Sequence, residues 1–222
     1  MTTLPDLPQT EIAIVEMTNA FRKENKLGAV KPNPALTAAA RAFAGYLART
    51  DKFAHEADGR HPAQRAEAQG YRFCFVAENL ALNLDSRGFE TAKLARDVVE
   101  GWKNSPGHRA NMLQPKVTEI GVAVARAADR NPKFISVQLF GRPESFKIQF
   151  KVENQTGAAV RYTLGEAAHT LPVRAIMTHT SCDPGQLTFE KLGAQRYQPR
   201  DGDRFVVHNA KGGAFAVDVE RK

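Results

Sequence analysis

The chain has 222 residues, 42% hydrophobic and 25% charged, with 13 Phe and a formal net charge of +7; its mean hydropathy is −0.41. Such a chain can bury enough apolar area to offset the cost of ordering, so it is not disordered, and no stretch approaches the ~18 consecutive apolar residues of a membrane span. The charge is dispersed, with 20 basic and 16 acidic residues in 1–145 and 11 and 8 in 146–222, and with basic runs no longer than Arg22-Lys23 or Arg221-Lys222; no nucleic-acid partner is expected.

Residues 1–10 read as an N-terminal tail, with Thr10 as the cap of a first helix. Ile12, Ile14, Val15, Met17 and Phe21 share one face of it, and Gly28 stands where a C-terminal cap belongs. Asn33-Pro34 opens a second helix through Leu36, Ala39, Ala40, Phe43 and Leu47 to about Thr50. A short third helix is expected from Pro62 to Gln69. A fourth begins near Gly88-Phe89, carries Leu94, Ala95, Val98, Val99 and Trp102 on one stripe, and stops at Ser105-Pro106-Gly107. Alternation at Ile120, Val122 and Val124, a turn at Asn131-Pro132 and a second alternation from Phe134 to Phe140 predict a hairpin. Phe73 and Phe75, flanking Cys74, read as core.

Beyond Gly141-Arg142-Pro143 the helical signals vanish. Segments 146–153, 159–164, 170–178, 187–191, 203–209 and 213–219 are short, β-branched or aromatic, and separated by turns such as Asp183-Pro184-Gly185 and Arg200-Asp201-Gly202. This spacing predicts a small all-β, sandwich-like domain over 144–222 following an α+β domain over 11–143.

The chemistry-bearing residues are sparse. Two cysteines, Cys74 and Cys182, exclude a disulfide-dense scaffold and a multi-Cys zinc module; one disulfide stays open beside two buried thiols, and a bond would tie the two domains together. The opening MTTLPDLPQT lacks the basic start and apolar core of a secretion signal. His55-Glu56 begins like HExxH but Gly59 occupies the second ligand position, and GxSxG, GxGxxG and P-loop patterns are absent. Asn154-Gln155-Thr156 matches a glycosylation sequon. His169, His179 and His208 show no consistent spacing and read as solvated.

Glu78-Asn79-Leu80-Ala81 is followed by Trp102-Lys103-Asn104-Ser105-Pro106-Gly107-His108-Arg109-Ala110-Asn111-Met112-Leu113 and then by Thr118-Glu119-Ile120-Gly121-Val122. Here the sequence resembles the CAP superfamily, which includes cysteine-rich secretory proteins, venom allergens, plant pathogenesis-related class 1 proteins and short bacterial relatives. The likeness also takes in Asn19, Arg22, Leu36, Phe53-Ala54-His55, Asp58-Gly59, Arg65, Gly70-Tyr71 and Val137 to Phe140. The bacterial form is the nearer match.

The resemblance implies an α-β-α sandwich with a central antiparallel sheet and an open cleft where two histidines and two acidic residues meet. Carried over, these are His55, His108 and Glu78, with Ser105 standing where the family has its second Glu and Glu100 or Glu119 as substitutes nearby. His55 and His108 would ligate Zn²⁺ or another divalent cation, with Glu78 behind them or as a third ligand. Asn19, Arg22, Asn79, Trp102 and Asn111 read as structural anchors. For Glu78-Asn79 a purely structural bond to loop backbone stays open. Ser105 and His108 could also form a nucleophile and base, although a helix stop at Ser105-Pro106 is the preferred reading.

The favoured function is an extracytoplasmic, non-enzymatic binding module for a small lipid, glycan or peptide ligand or an envelope partner, its signal peptide absent from this chain. The alternatives are a metal-dependent hydrolase using Glu78 as general base and an inert interaction protein.

Overall fold

The computed structural model of the chain describes residues 2–221. It divides into two compact units, Met1–Pro143 and Glu144–Lys222. Among the described residues no helix is long and apolar enough to cross a membrane.

In the first unit, helix α1 (Leu7–Glu24) is capped by Asp6, whose carboxylate accepts the Gln9 N–H at 2.9 Å. The expected tail is therefore shorter than ten residues, because Asp6-Leu7-Pro8 already supplies a cap and a proline in the first turn. Thr10 lies buried within the helix, its hydroxyl bonded to the Asp6 carbonyl. The helix closes at Asn25 rather than at Gly28. Helix α2 (Pro34–Thr50) is capped by Asn33, which accepts from the Ala35 and Leu36 N–H groups. Helix α3 (Pro62–Ala68) follows a loop, and α4 (Thr91–Asn104) buries Leu94, Ala95, Val98, Val99 and Trp102. Ser105 stops α4 in extended geometry (φ −102°, ψ 118°), yet the same residue begins a further helix, α5 (Pro106–Met112). Proline ends one helix and suits the first turn of the next, so the stop was also a start.

Four strands, β1 (Lys31–Pro32), β2 (Phe73–Leu84), β3 (Glu119–Ala127) and β4 (Lys133–Pro143), form one sheet in the order β1-β3-β4-β2. The β3/β4 and β4/β2 pairs are antiparallel, and only the short β1 runs parallel to β3. On one face Ile14, Phe21, Val98, Trp102, Ile120 and Phe140 cluster under α1, α4 and α5. On the other, Leu36, Phe43, Leu47, Leu80, Val137 and Leu139 cluster under α2 and α3. This is an α-β-α sandwich. In the 12-residue β2 only Ala77 to Leu80 are buried in succession, which interrupts the period-2 signal there, while Leu82 and Leu84 are exposed.

The second unit contains β5 (Ile148–Asn154), β6 (Val160–Leu164), β7 (Ala167–Leu171), β8 (Ile176–Ser181), β9 (Leu187–Phe189), β10 (Arg196–Tyr197), β11 (Arg204–Asn209) and β12 (Phe215–Glu220). They form two four-stranded sheets, β10-β9-β6-β7 and β12-β11-β5-β8. The sheets enclose Phe150, Val152, Tyr162, Leu171, Phe189 and Phe205. The segment 170–178, expected as one strand, is broken by a turn between Pro172 and Ala175, with Arg174 at φ 58°. Asn154 of the sequon is fully buried, and its amide donates to the carbonyls of Ala158, Leu171 and Pro172. It pins a turn and is closed to a glycan.

Candidate functional site

Successive strand residues point to opposite faces of a sheet, so Glu78 and Asn79 leave β2 on opposite sides and tie down different layers. On the α2/α3 side, Glu78 Oε1 lies 2.8 Å from His55 Nδ1 and Oε2 accepts from Arg65 at 2.7 Å. The Glu78 side chain is 1% exposed and that of His55 is 52% exposed, so the carboxylate is interior and the imidazole faces solvent. Arg65 of α3 is itself buried, stacked 3.5 Å over the Phe43 ring. It also donates to Asp58 Oδ1 and to the carbonyls of Arg60 and His55, so one guanidinium organises the whole loop that carries His55.

Burial raises the Glu78 carboxyl above its ordinary pKa, and the Arg65 cation and the His55 bond oppose that rise. An ionised carboxylate can only accept, so, facing one, His55 Nδ1 is the donor of this hydrogen bond.

On the opposite face, Asn79 donates to the His108 carbonyl at 3.1 Å and to Gln138 Oε1 at 2.9 Å, and Gln138 in turn donates to Thr18 of α1. Asn111 donates to the Glu78 carbonyl at 3.0 Å and to Asn79 Oδ1 at 2.9 Å. These amides latch α5 onto β2 and position His108. Burial, and secondarily the charge of His55, lower the His108 pKa. Trp102 donates to the Leu80 carbonyl, Asn19 exchanges hydrogen bonds with both backbone groups of Val30, and Arg22 holds the carbonyls of Gly28, Met112 and Gln114.

The remaining candidates do not join this group. Ser105 accepts the Arg109 N–H through its carbonyl and makes no side-chain cap; no hydrogen bond links its hydroxyl to His108, so the nucleophile-base pairing is absent. Glu100 pairs with Lys103. Glu119 is held by Tyr71 Oη at 2.6 Å and by Asn33 at 3.2 Å, on β3 with β4 intervening before β2. Neither supplies the second carboxylate. Among the described residues no group of three or more His, Cys, Asp or Glu is placed to hold a metal. Both cysteines are disulfide-bonded. Arg65 is the site residue that sequence reasoning left without a role, since no pattern separates a buried arginine from a solvated one.

The α-β-α layering, with His55 and Arg65 joined to Glu78 of β2 and α5 latched to the same strand, is that of a CAP-type domain. The model of the CAP family, described as the cysteine-rich secretory protein family, matches residues 15–140, and the chain belongs to that family. A curated relative, the uncharacterized protein YkwD of Bacillus subtilis, is 31% identical over 113 residues, which are 50% of this chain and 41% of the relative; the chain thus spans less than half of that protein. An outer surface protein of Borrelia burgdorferi aligns with a TM-score of 0.51 at 23% identity, over 61% of this chain and 93% of that one. An extracellular SCP-domain protein of Bacillus anthracis gives the same TM-score and identity, over 61% and 41%. These two alignments bear on the fold.

Proposed function

We propose that the protein is an extracytoplasmic, non-enzymatic binding module whose cleft holds a divalent cation, such as Zn²⁺, through His55 and His108 and takes a small lipid, glycan or peptide ligand or an envelope partner beside it. The carrying observation is the state of Glu78: buried, with one oxygen on His55 and the other on Arg65. A carboxylate committed on both oxygens fixes the tautomer of a ligating imidazole and is poorly placed to take a proton from water. That disfavours the hydrolytic alternative, in which Glu78 acts as general base. The donor set that remains is two neutral imidazoles with water completing the shell, which suits weak, exchangeable binding.

An extracytoplasmic setting is supported by the descriptions of the similar structures as outer-surface and extracellular proteins, and by two cysteines in the bonded state, which persists in oxidising compartments.

The test is Zn²⁺ titration of the full chain followed by thermal unfolding. A cation that binds only the folded state raises the melting temperature. The expected rise is lost in His55→Ala and in His108→Ala, and fades in acid, because a protonated imidazole has no lone pair to give. Burial lowers the His108 pKa, so its loss of affinity sets in further into acid than for a free histidine. No shift in the wild-type chain, or a shift that persists undiminished in either variant, overturns the metal assignment.

A further inference from the structure

The β unit gathers a second set of donor atoms that is independent of the cleft. β7 and β8 are each an edge strand of one of the two sheets, and side chains from the two meet. Alternation along β8 turns Met177 and His179 inward, while Ile176, Thr178 and Thr180 face solvent. β7 contributes His169, paired in register with Tyr162 of β6. The Tyr162 hydroxyl lies 2.8 Å from His179 Nε2 and 3.1 Å from Met177 Sδ, so an imidazole nitrogen and a thioether sulfur converge on one point. The His169 ring stacks on Tyr162 with centroids 5.1 Å apart and meets the His179 ring edge-on at 4.9 Å. Phe150 stacks against the far face of His179 at 5.1 Å. His169 and His179, expected as solvated, are thus half-buried side chains at the rim of an aromatic core.

We propose that His169, His179 and Met177 form a binding site for a soft monovalent cation, Cu(I) or its redox-inert counterpart Ag(I). Three neutral donors, two imidazole nitrogens and one thioether sulfur, match the ligand preference of Cu(I). No carboxylate touches any of the three among the described residues, so the hard cations Mg²⁺, Ca²⁺ and Mn²⁺ find none of the anionic oxygen they require. The aromatic floor of Tyr162 and Phe150 suits a single positive charge kept from bulk water. His169 makes no hydrogen bond among the described residues, leaving both ring nitrogens uncommitted. Met177 is unbranched with three rotatable bonds, so its sulfur can leave the phenol and close on an ion at ordinary metal-ligand distance.

The experiment uses the full chain labelled with ¹³C at the methyl groups of its four methionines, titrated with Ag(I) without reductant so that the cysteines stay bonded. The expected result is a shift of one methyl resonance, assigned to Met177 by its absence in Met177→Leu, saturating at one equivalent. Ag(I) affinity falls at least tenfold in His169→Ala, in His179→Gln and in Met177→Leu, the last of which keeps side-chain volume while removing sulfur. The affinity is unchanged in a His55→Ala, His108→Ala chain, which separates this site from the cleft. An unmoved Met177 resonance, a shift confined to another methionine, or a shift that persists in the His169→Ala, His179→Gln double variant overturns the proposal.

Discussion

Arg65 binds two carboxylates and two backbone carbonyls while stacked on Phe43. Its side chain is 5% exposed and that of Glu78 is 1% exposed, so removing the cation strands an interior carboxylate with only His55 opposite. Breaking a buried ion pair from one side typically costs about 3–5 kcal/mol. Arg65→Leu is therefore expected to lower stability by about that amount, measured by urea unfolding, and to raise the exposure of His55 to hydrogen exchange. A loss below about 1 kcal/mol would contradict the geometry, since that is the range of solvent-exposed pairs. The cleft histidines and Glu78 were visible in the sequence as residue types at known landmarks. Arg65 and Asp58 were visible only as landmarks, because what makes them part of the site is who they touch.

At the scale of elements, the close approach of α2 to β3 rests on one missing methyl group. A Cβ at Gly121 would fall 2.2 Å from the Leu36 carbonyl carbon and 2.4 Å from the Thr37 nitrogen, both backbone atoms that cannot turn aside. Gly121→Ala is expected to cost at least the ~1–3 kcal/mol usual for overpacking, read as a drop in melting temperature. Gly101 offers the opposite case: it lies within α4 with nothing near its Cβ position. Gly101→Ala is expected to stabilise by about 0.5–1 kcal/mol through helix propensity alone, and no gain would mean that α4 frays there. The amphipathic helices α2 and α4 were legible because each has one wet face. β2 was not, its alternation interrupted where Ala77 to Leu80 are all buried, and α5 was hidden behind the proline that ends α4. In the β unit the turn residues marked most strand ends, but the break at Pro172 to Ala175 depends on an αL residue, Arg174, that is not a glycine.

For the whole molecule, the chain carries two cysteines and neither is free. Denatured without reductant, the protein is expected to show no reactive thiol in a colorimetric assay, and two after reduction; thiol in the unreduced sample would refute the bonded state. The bond itself was left open by the sequence, because spacing along a chain says nothing of distance in space. What the sequence determined by itself was the residue inventory, the amphipathic helices, the change from helical to β signals near Pro143 and the family. These follow from local periodicity, turn chemistry and ordered landmarks. What only the tertiary structure decided was which side chains share an environment: Glu78 committed between His55 and Arg65, Glu119 drawn away to Tyr71, and His169, His179 and Met177 brought together from separate edge strands. Such groupings arise because strand alternation, helix docking and burial bring distant residues together, and the energies of charges and donors depend on those neighbours rather than on sequence order.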